Sequence, residues 1–144
     1  MKTTTGMIGF LALMGLTSVA AADYFDGKTP LLCSLHQLHE CDPPNGCRSV
    51  TPAEVSGFSH LEIDFEEKEV TRPNEDGGQK SIIENIETRV DGKLIIQGIE
   101  DGSPEARDGA GWSISIMNPE GTMTMAVAGD GFVIAGLGAC VPMP

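Results

Sequence analysis

The chain has 144 residues, 40% of them hydrophobic, with nine Lys and Arg against 21 Asp and Glu and a formal net charge of −12. That balance excludes partners that are themselves anionic, nucleic acid and acidic membrane surfaces above all. It favours basic partners or divalent cations, and otherwise keeps a water-exposed domain solvated.

The N-terminus reads as an export signal. Lys2 gives a short positive start, Met7 to Leu16 form an uncharged apolar run, and Thr17-Ser18-Val19-Ala20-Ala21-Ala22 end in an Ala-x-Ala pattern. That order predicts a secretory signal peptide over residues 1–22, cleaved after Ala22. The apolar run is well short of the roughly 20 residues that span a bilayer, so no stable membrane insertion is expected after cleavage. Residues 23–144 remain as a single disulfide-stapled β-rich domain, long enough to bury a core of its own. Losing Lys2 makes the charge one unit more negative.

After a polar lead-in from Asp23 to Lys28, Thr29-Pro30 has the form of a helix start, with Thr as N-cap and Pro at the first helical position. Leu31, Leu35 and Leu38 follow at i, i+4, i+7 and predict one face of a short helix, ended by Asp42-Pro43-Pro44-Asn45-Gly46. Thr51-Pro52-Ala53-Glu54 is a capping box, bracketed by Val50 and Val55 at the positions of a hydrophobic staple. Gly57 should stop this second helix after about a turn.

From Phe58 the apolar period becomes two. Leu61, Ile63 and Phe65 alternate with Glu62 and Asp64, the pattern of a half-buried strand. Val70 and Thr71 continue after a turn at Glu66-Glu67. Asn74 to Gly78 is a loop, and Ile82 to Val90 a strand whose phase is ambiguous around Asn85. Asp91-Gly92 carries a two-residue hairpin signal that returns the chain into Lys93 to Ile99. Glu100 to Gly111 is the longest loop. Trp112, Ile114 and Ile116 then share one face of a strand, and Met123, Met125 and Val127 one face of the next. Turns at Asn118-Pro119-Glu120-Gly121 and Gly129-Asp130-Gly131 flank that strand, and Phe132 to Ala139 lead to Cys140. The expected fold class is therefore α+β: mainly an antiparallel β-meander, a small barrel or curled sheet, with one or two short N-terminal helices.

Four cysteines in an exported chain predict two disulfides, and sequence alone leaves three pairings open. Turn residues between Cys41 and Cys47 favour a short-loop bridge there, which leaves Cys33 for Cys140 and ties the first helix to the last strand. On a helical wheel Cys33 lies opposite the leucine stripe, where a bridge accounts for it better than packing does. The alternative is metal. Cys33, His36, His39 and Cys41 spell C-x2-H-x2-H-x-C, a soft set suited to Zn or Cu, with Met117, Met123, Met125 and Met143 as further thioethers for Cu(I). The spacing is not that of a known zinc set, so disulfides take precedence and no cofactor is expected.

Asp101, Glu105 and Asp108, with the sole tryptophan Trp112 directly after them, mark the long loop as a candidate binding surface. Their spacing is not that of an EF-hand. Glu62, Asp64 and Glu66 read as a solvated strand face. Ser59-His60 lacks a G-x-S-x-G context, and Gly129-Asp130-Gly131 leads into a strand instead of a phosphate-binding helix. No residues stand as nucleophile, base and orienter at a recognisable spacing. No catalytic residue is assigned, and an enzyme is not expected.

One order of short motifs spans nearly the whole mature chain. It runs from Asp26-Gly27-Lys28 and Leu31-Leu32-Cys33 through Cys41, Cys47 and Leu61-x-Ile63-Asp64-Phe65. It continues with Leu94-x-Ile96-x-Gly98, Gly111-Trp112-Ser113-x-Ser115-Ile116, Phe132 and Gly138-Ala139-Cys140. This order resembles a group of small exported bacterial proteins of unknown function, a resemblance that implies an envelope or secreted location and carries no activity with it. A weaker similarity is to the small β-barrel lysozyme inhibitors of bacterial envelopes, which also use a cysteine near each end. Ser56-Gly57-Phe58 stands here in place of their Ser-Gly-x-x-Tyr loop.

The expectation is thus a non-enzymatic binding or inhibitor-type module, periplasmic or secreted. It would contact a basic envelope or secreted protein through Arg72 to Lys80 and Glu100 to Gly111. The alternative is a periplasmic metal-binding protein using Cys33, His36, His39 and Cys41.

Overall fold

Apolar residues alternate with polar ones through nearly all of the described chain, and the backbone follows them into strands. The computed structural model describes residues 23–55, 59–73, 78–103, 105 and 108–144. The predicted leader, Gly57 and most of the Asn74 to Gly78 loop lie outside them. The strands are β1 (Leu31–Asp42), β2 (Gly46–Val50), β3 (His60–Asp64), β4 (Glu69–Arg72) and β5 (Gln79–Thr88). They continue as β6 (Lys93–Glu100), β7 (Ala110–Met117), β8 (Thr122–Gly129) and β9 (Phe132–Pro142). All neighbours are antiparallel. β1 pairs with β3 on one edge and β9 on the other, so β1 and β3 to β9 close into an eight-stranded barrel. Strand β2 folds back as a hairpin on the second half of β1.

The α+β expectation is corrected by this architecture, and the leucine stripe shows why. Leu31, Cys33 and Leu35 are buried at a period of two. The register against β9 then slips between Leu35 and Gln37, a bulge that turns Leu38 inward as well. Two strand steps, one more and a bulge thus imitate the i, i+4, i+7 spacing of a helix. Cys33 lies on the same inward face as the leucines, so the wheel argument that set it apart from them fails. Thr29-Pro30 starts no helix; Asp26 Oδ1 instead accepts from Lys28 N (2.9 Å) and Thr29 N (3.1 Å) just ahead of β1. The capping box yields only one turn of 3-10 helix, Pro52–Val55. Within it Glu54 Oε2 accepts from Thr51 N at 2.7 Å and from Thr51 Oγ1 at 2.8 Å, with Val50 and Val55 buried on either side.

Elsewhere the periodicity maps directly. Leu61 and Ile63 of β3, Trp112, Ile114 and Ile116 of β7, and Met123, Met125 and Val127 of β8 all face the core. The ambiguity near Asn85 is a bulge between Ile83 and Asn85 against β6. The hairpin after β5 is longer by one residue than its sequence signal. Arg89 N donates to Lys93 O across Val90, Asp91 and Gly92, and only Gly92 (φ 81°) takes the left-handed conformation.

The two ends of the barrel differ. At one end lie the tight turns at 65–68, 89–92 and 118–121, and residues 23–29 lie across it. Phe25 is buried beneath Gly121, where a Cβ would sit 2.8 Å from its ring, and Gly27 packs on Ile86 and Leu94. Asn118 Nδ2 donates to Asp23 Oδ1 at 2.6 Å and fixes the segment. At the other end lie the ends of β4 and β6, from which longer connections leave, and the tight turn at 130–131. Between the two, Leu31, Ile63, Leu94, Ile96, Ile116 and Met123 fill the interior. Burying each such side chain stabilises by roughly 1.5–3 kcal/mol relative to exposure.

Both disulfides join directly paired strand residues. Cys33–Cys140 lies inside the β1–β9 seam that closes the barrel, and Cys41–Cys47 spans the β1–β2 hairpin. The bridge from Cys140 therefore reaches the first strand, where a helix was expected. The hairpin turn is held by Asp42, whose Oδ1 accepts from Asn45 N at 2.8 Å while Asn45 Nδ2 donates to Oδ2 at 3.0 Å. These two bonds, together with nearby Arg48, hold the Asp42 carboxyl below the usual carboxylate range.

Candidate functional site

Four strands place a polar or amphipathic side chain on their inward faces near the loop-bearing end. On β4, Val70 is followed two residues later by Arg72; on β6, Leu94, Ile96 and Gly98 are followed by Glu100. Ser81 is the first buried residue of β5 and Trp112 the first of β7, one strand step inside Ala110. Because alternation along a strand fixes the face, these residues converge at the barrel mouth.

Their contacts form one network. Arg72 Nη2 donates to Glu100 Oε1 at 2.6 Å, with the two side chains only 12% and 19% exposed. Gln79 Nε2 donates to the same oxygen, and Ser81 Oγ to Glu100 Oε2 at 3.4 Å. Below the pair lies a hollow walled by Leu61, Val70, Ile114, Met125 and Val127, with Trp112 along one side. Its atom-free space is about 320 Å³ with the open mouth included, of which about 20 Å³ is wide enough to seat the centre of a water molecule.

Trp112 is 9% exposed, and its Nε1 is buried with no hydrogen-bond acceptor among the described residues. Its ring is positioned by Gly98, directly opposite on β6. A Cβ there would lie 2.3 Å from Trp112 Cζ2 and 2.0 Å from Ile82 O, so only a glycine lets the indole lie flat on the sheet.

Asp101, Glu105 and Asp108 stand exposed in the connection between β6 and β7, above this mouth. Asp108 Oδ1 accepts from Ser103 N at 2.7 Å and shapes the loop. Among the described residues, no group of three or more His, Cys, Asp and Glu is placed to hold a metal ion. The sequence singled out the three loop acids and Trp112, which stand near one another at this end. It did not pair Arg72 with Glu100 or bring in Ser81; the available signal was a charged residue in the inward phase of β4 and of β6.

The Cys33, His36, His39, Cys41 set does not assemble. Cys33 is inside the barrel and bound to Cys140, while Cys41 is bound to Cys47, so neither offers a thiolate. His36 is exposed, and His39 Nε2 lies 3.0 Å from Gln37 Nε2. Met123 and Met125 are core residues. His60 Nδ1 lies 3.0 Å from Ser59 Oγ on the exposed rim, a contact between chain neighbours.

Two disulfides belong to an oxidising, extracytoplasmic environment. Among the described residues no helix is long and apolar enough to cross a membrane. Compared with known proteins, the chain matches no family model, no curated protein and no solved structure.

Proposed function

We propose that this is an exported, non-enzymatic binding module of the periplasm or cell exterior, of the inhibitor type, that engages a basic envelope or secreted protein with the loop-bearing end of its barrel. The observation that carries this reading is the asymmetry of the two ends. One is covered by Phe25 and residues 23–29; the other presents Asp101, Glu105 and Asp108 around a mouth that already contains a half-buried ion pair and a tryptophan. Exposed carboxylates around a concave apolar floor suit a partner that brings positive charge at the edge. The interior is apolar while Glu62, Glu84 and Glu87 stand exposed on the outward faces of β3 and β5, the reverse of a membrane-embedded barrel. That supports a water-exposed domain.

The test is binding to a panel of basic envelope-active proteins, lysozyme included, at low and high salt. At least one should bind at micromolar concentration or tighter, more weakly at high salt. A variant carrying D101N, E105Q and D108N should lose that binding, while E66Q with E67Q at the other end should not. No binder at micromolar concentration, or equal loss from both variants, would overturn the reading.

A further inference from the structure

We propose that the outer face of β7, β8 and β9, continued onto the first half of β1, is a docking surface for a second copy of this chain, giving a weak two-fold dimer. This goes beyond the engagement of a basic protein and uses the flank of the barrel, not its mouth. From residue 109 to residue 144 only Glu120 and Asp130 carry charged side chains, and both lie in turns. Three consecutive strands of a chain with net charge −12 therefore present no charge. Glu62, Glu84 and Glu87 stand exposed on β3 and β5, in the opposite half of the barrel.

Strand β9 is apolar on both faces. Ile134 and Cys140 point into the core, while Val133, Leu137 and Val141 stand exposed outside, with Ala135 and Ala139 between them. A strand apolar on both sides has the pattern of one covered on both sides, and an exposed apolar face of this kind marks an interaction surface. Beside this ridge lies its counterpart. Gly111 pairs with Ala128 and Ser113 with Ala126, and a shallow hollow of about 500 Å³, open solvent included, lies over these four. Val133 is the cross-strand neighbour of Ala128, so ridge and hollow adjoin. A two-fold axis between them seats the ridge of each copy in the hollow of the other.

Charge selects the occupant. A basic protein gains nothing from an uncharged flank and is drawn to the acidic rim. Two copies of this chain repel wherever their acidic sides meet, and joining the neutral flanks holds Glu62, Glu84 and Glu87 of each copy away from the other. Area sets the strength. Four strands about 4.8 Å apart, each about eight residues long at 3.4 Å per residue, cover roughly 500 Å². Two such footprints bury about 1,000 Å², the small end of specific interfaces, which is why the dimer is weak.

The experiment is sedimentation equilibrium of the disulfide-intact domain, residues 23–144, at low and high salt. A monomer–dimer equilibrium is expected with a dissociation constant of roughly 0.1–1 mM, tightening about threefold or more at high salt as screening relieves the repulsion. Binding of a basic protein moves the opposite way with salt, so the two readings fail separately. Leu137→Glu and Ala126→Glu, both at exposed outward positions, should each weaken the dimer at least tenfold. Val90→Glu, in an exposed turn at the covered end, should change it less than twofold. A dilution series of the wild-type domain followed by ¹H–¹⁵N spectra needs no variant to fold. Its shifts should concentrate at Ala126, Ala128, Val133 and Leu137 and be absent at Glu62 and Glu84.

No dimer at millimolar concentration would overturn the proposal, as would a dimer that weakens with salt or survives both flank variants. Equal loss from Val90→Glu would do the same. So would dilution shifts centred on Glu62 and Glu84, or a chain that stays monomeric and sediments with neutral phosphatidylcholine vesicles, which would give the flank to lipid.

Discussion

Arg72 at the end of β4 reaches over β5 to Glu100 at the end of β6, closing a 2.6 Å ion pair across the barrel mouth. The pair is largely shielded, and its two members depend on each other more than the fold depends on both. Arg72→Met alone leaves Glu100 short of its principal partner and should cost about 2 kcal/mol of unfolding free energy. Adding Glu100→Met should recover most of that loss. A urea-denaturation double-mutant cycle measures this; two losses that simply add would show that the residues act independently.

Gly98→Ala should be among the most damaging single-methyl changes in the chain. The new Cβ would meet Ile82 O at 2.0 Å, an atom of the backbone that cannot swing aside, and Trp112 Cζ2 at 2.3 Å. A destabilisation of about 2–3 kcal/mol is expected, with a shift in tryptophan emission as the ring is pushed toward the mouth. Denaturation followed by fluorescence gives both numbers.

The two disulfides should differ in what their removal costs. Cys33–Cys140 closes a loop of 107 residues and Cys41–Cys47 one of 6. On the loop-entropy account the C33A, C140A variant should lose roughly 4–5 kcal/mol, and C41A, C47A about half as much. Equal losses, measured by urea titration, would show that the seam bridge contributes through local packing instead.

Acid should remove a defined contribution at the 3-10 turn. The Thr51 N–H and hydroxyl, then Arg48, hold the Glu54 carboxyl below the usual glutamate range. A carboxyl whose pKa falls on folding stabilises the protein above its unfolded value and loses that effect as pH falls toward its folded value. Wild type should therefore exceed E54Q in stability at neutral pH. The gap should narrow as pH drops below about 4.3, where unperturbed glutamate titrates. Thermal melts across that range check the sign; a gap that widens in acid contradicts it.

Much of the barrel was legible because a strand exposes its two faces at a fixed period. Leu61-x-Ile63, Trp112-x-Ile114-x-Ile116 and Met123-x-Met125-x-Val127 declare their buried side residue by residue. The first strand was not legible, since one bulge after Leu35 gives its apolar residues a helical spacing. The capping box at Thr51 formed only one of its two reciprocal bonds, Thr51 N to Glu54 Oε2, while Glu54 N donates to Thr51 O, and it made only a single turn. A cap satisfies a helix end but does not supply the packed face that sustains a helix. At the mouth, Trp112 and the rim carboxylates could be named from the sequence. The Arg72–Glu100 pair could not, because it joins strands that are not sequence neighbours and depends on both phases being inward.

The most direct test of the two-ended account is a ¹H–¹⁵N spectrum of the labelled domain titrated with a basic protein binder at low salt. Perturbations should concentrate at Glu100, Asp101, Asp108 and the Trp112 indole, and leave Glu66, Gly92 and Asn118 unchanged. Perturbations centred on the turns at 65–68, 89–92 and 118–121, with the mouth silent, would contradict it.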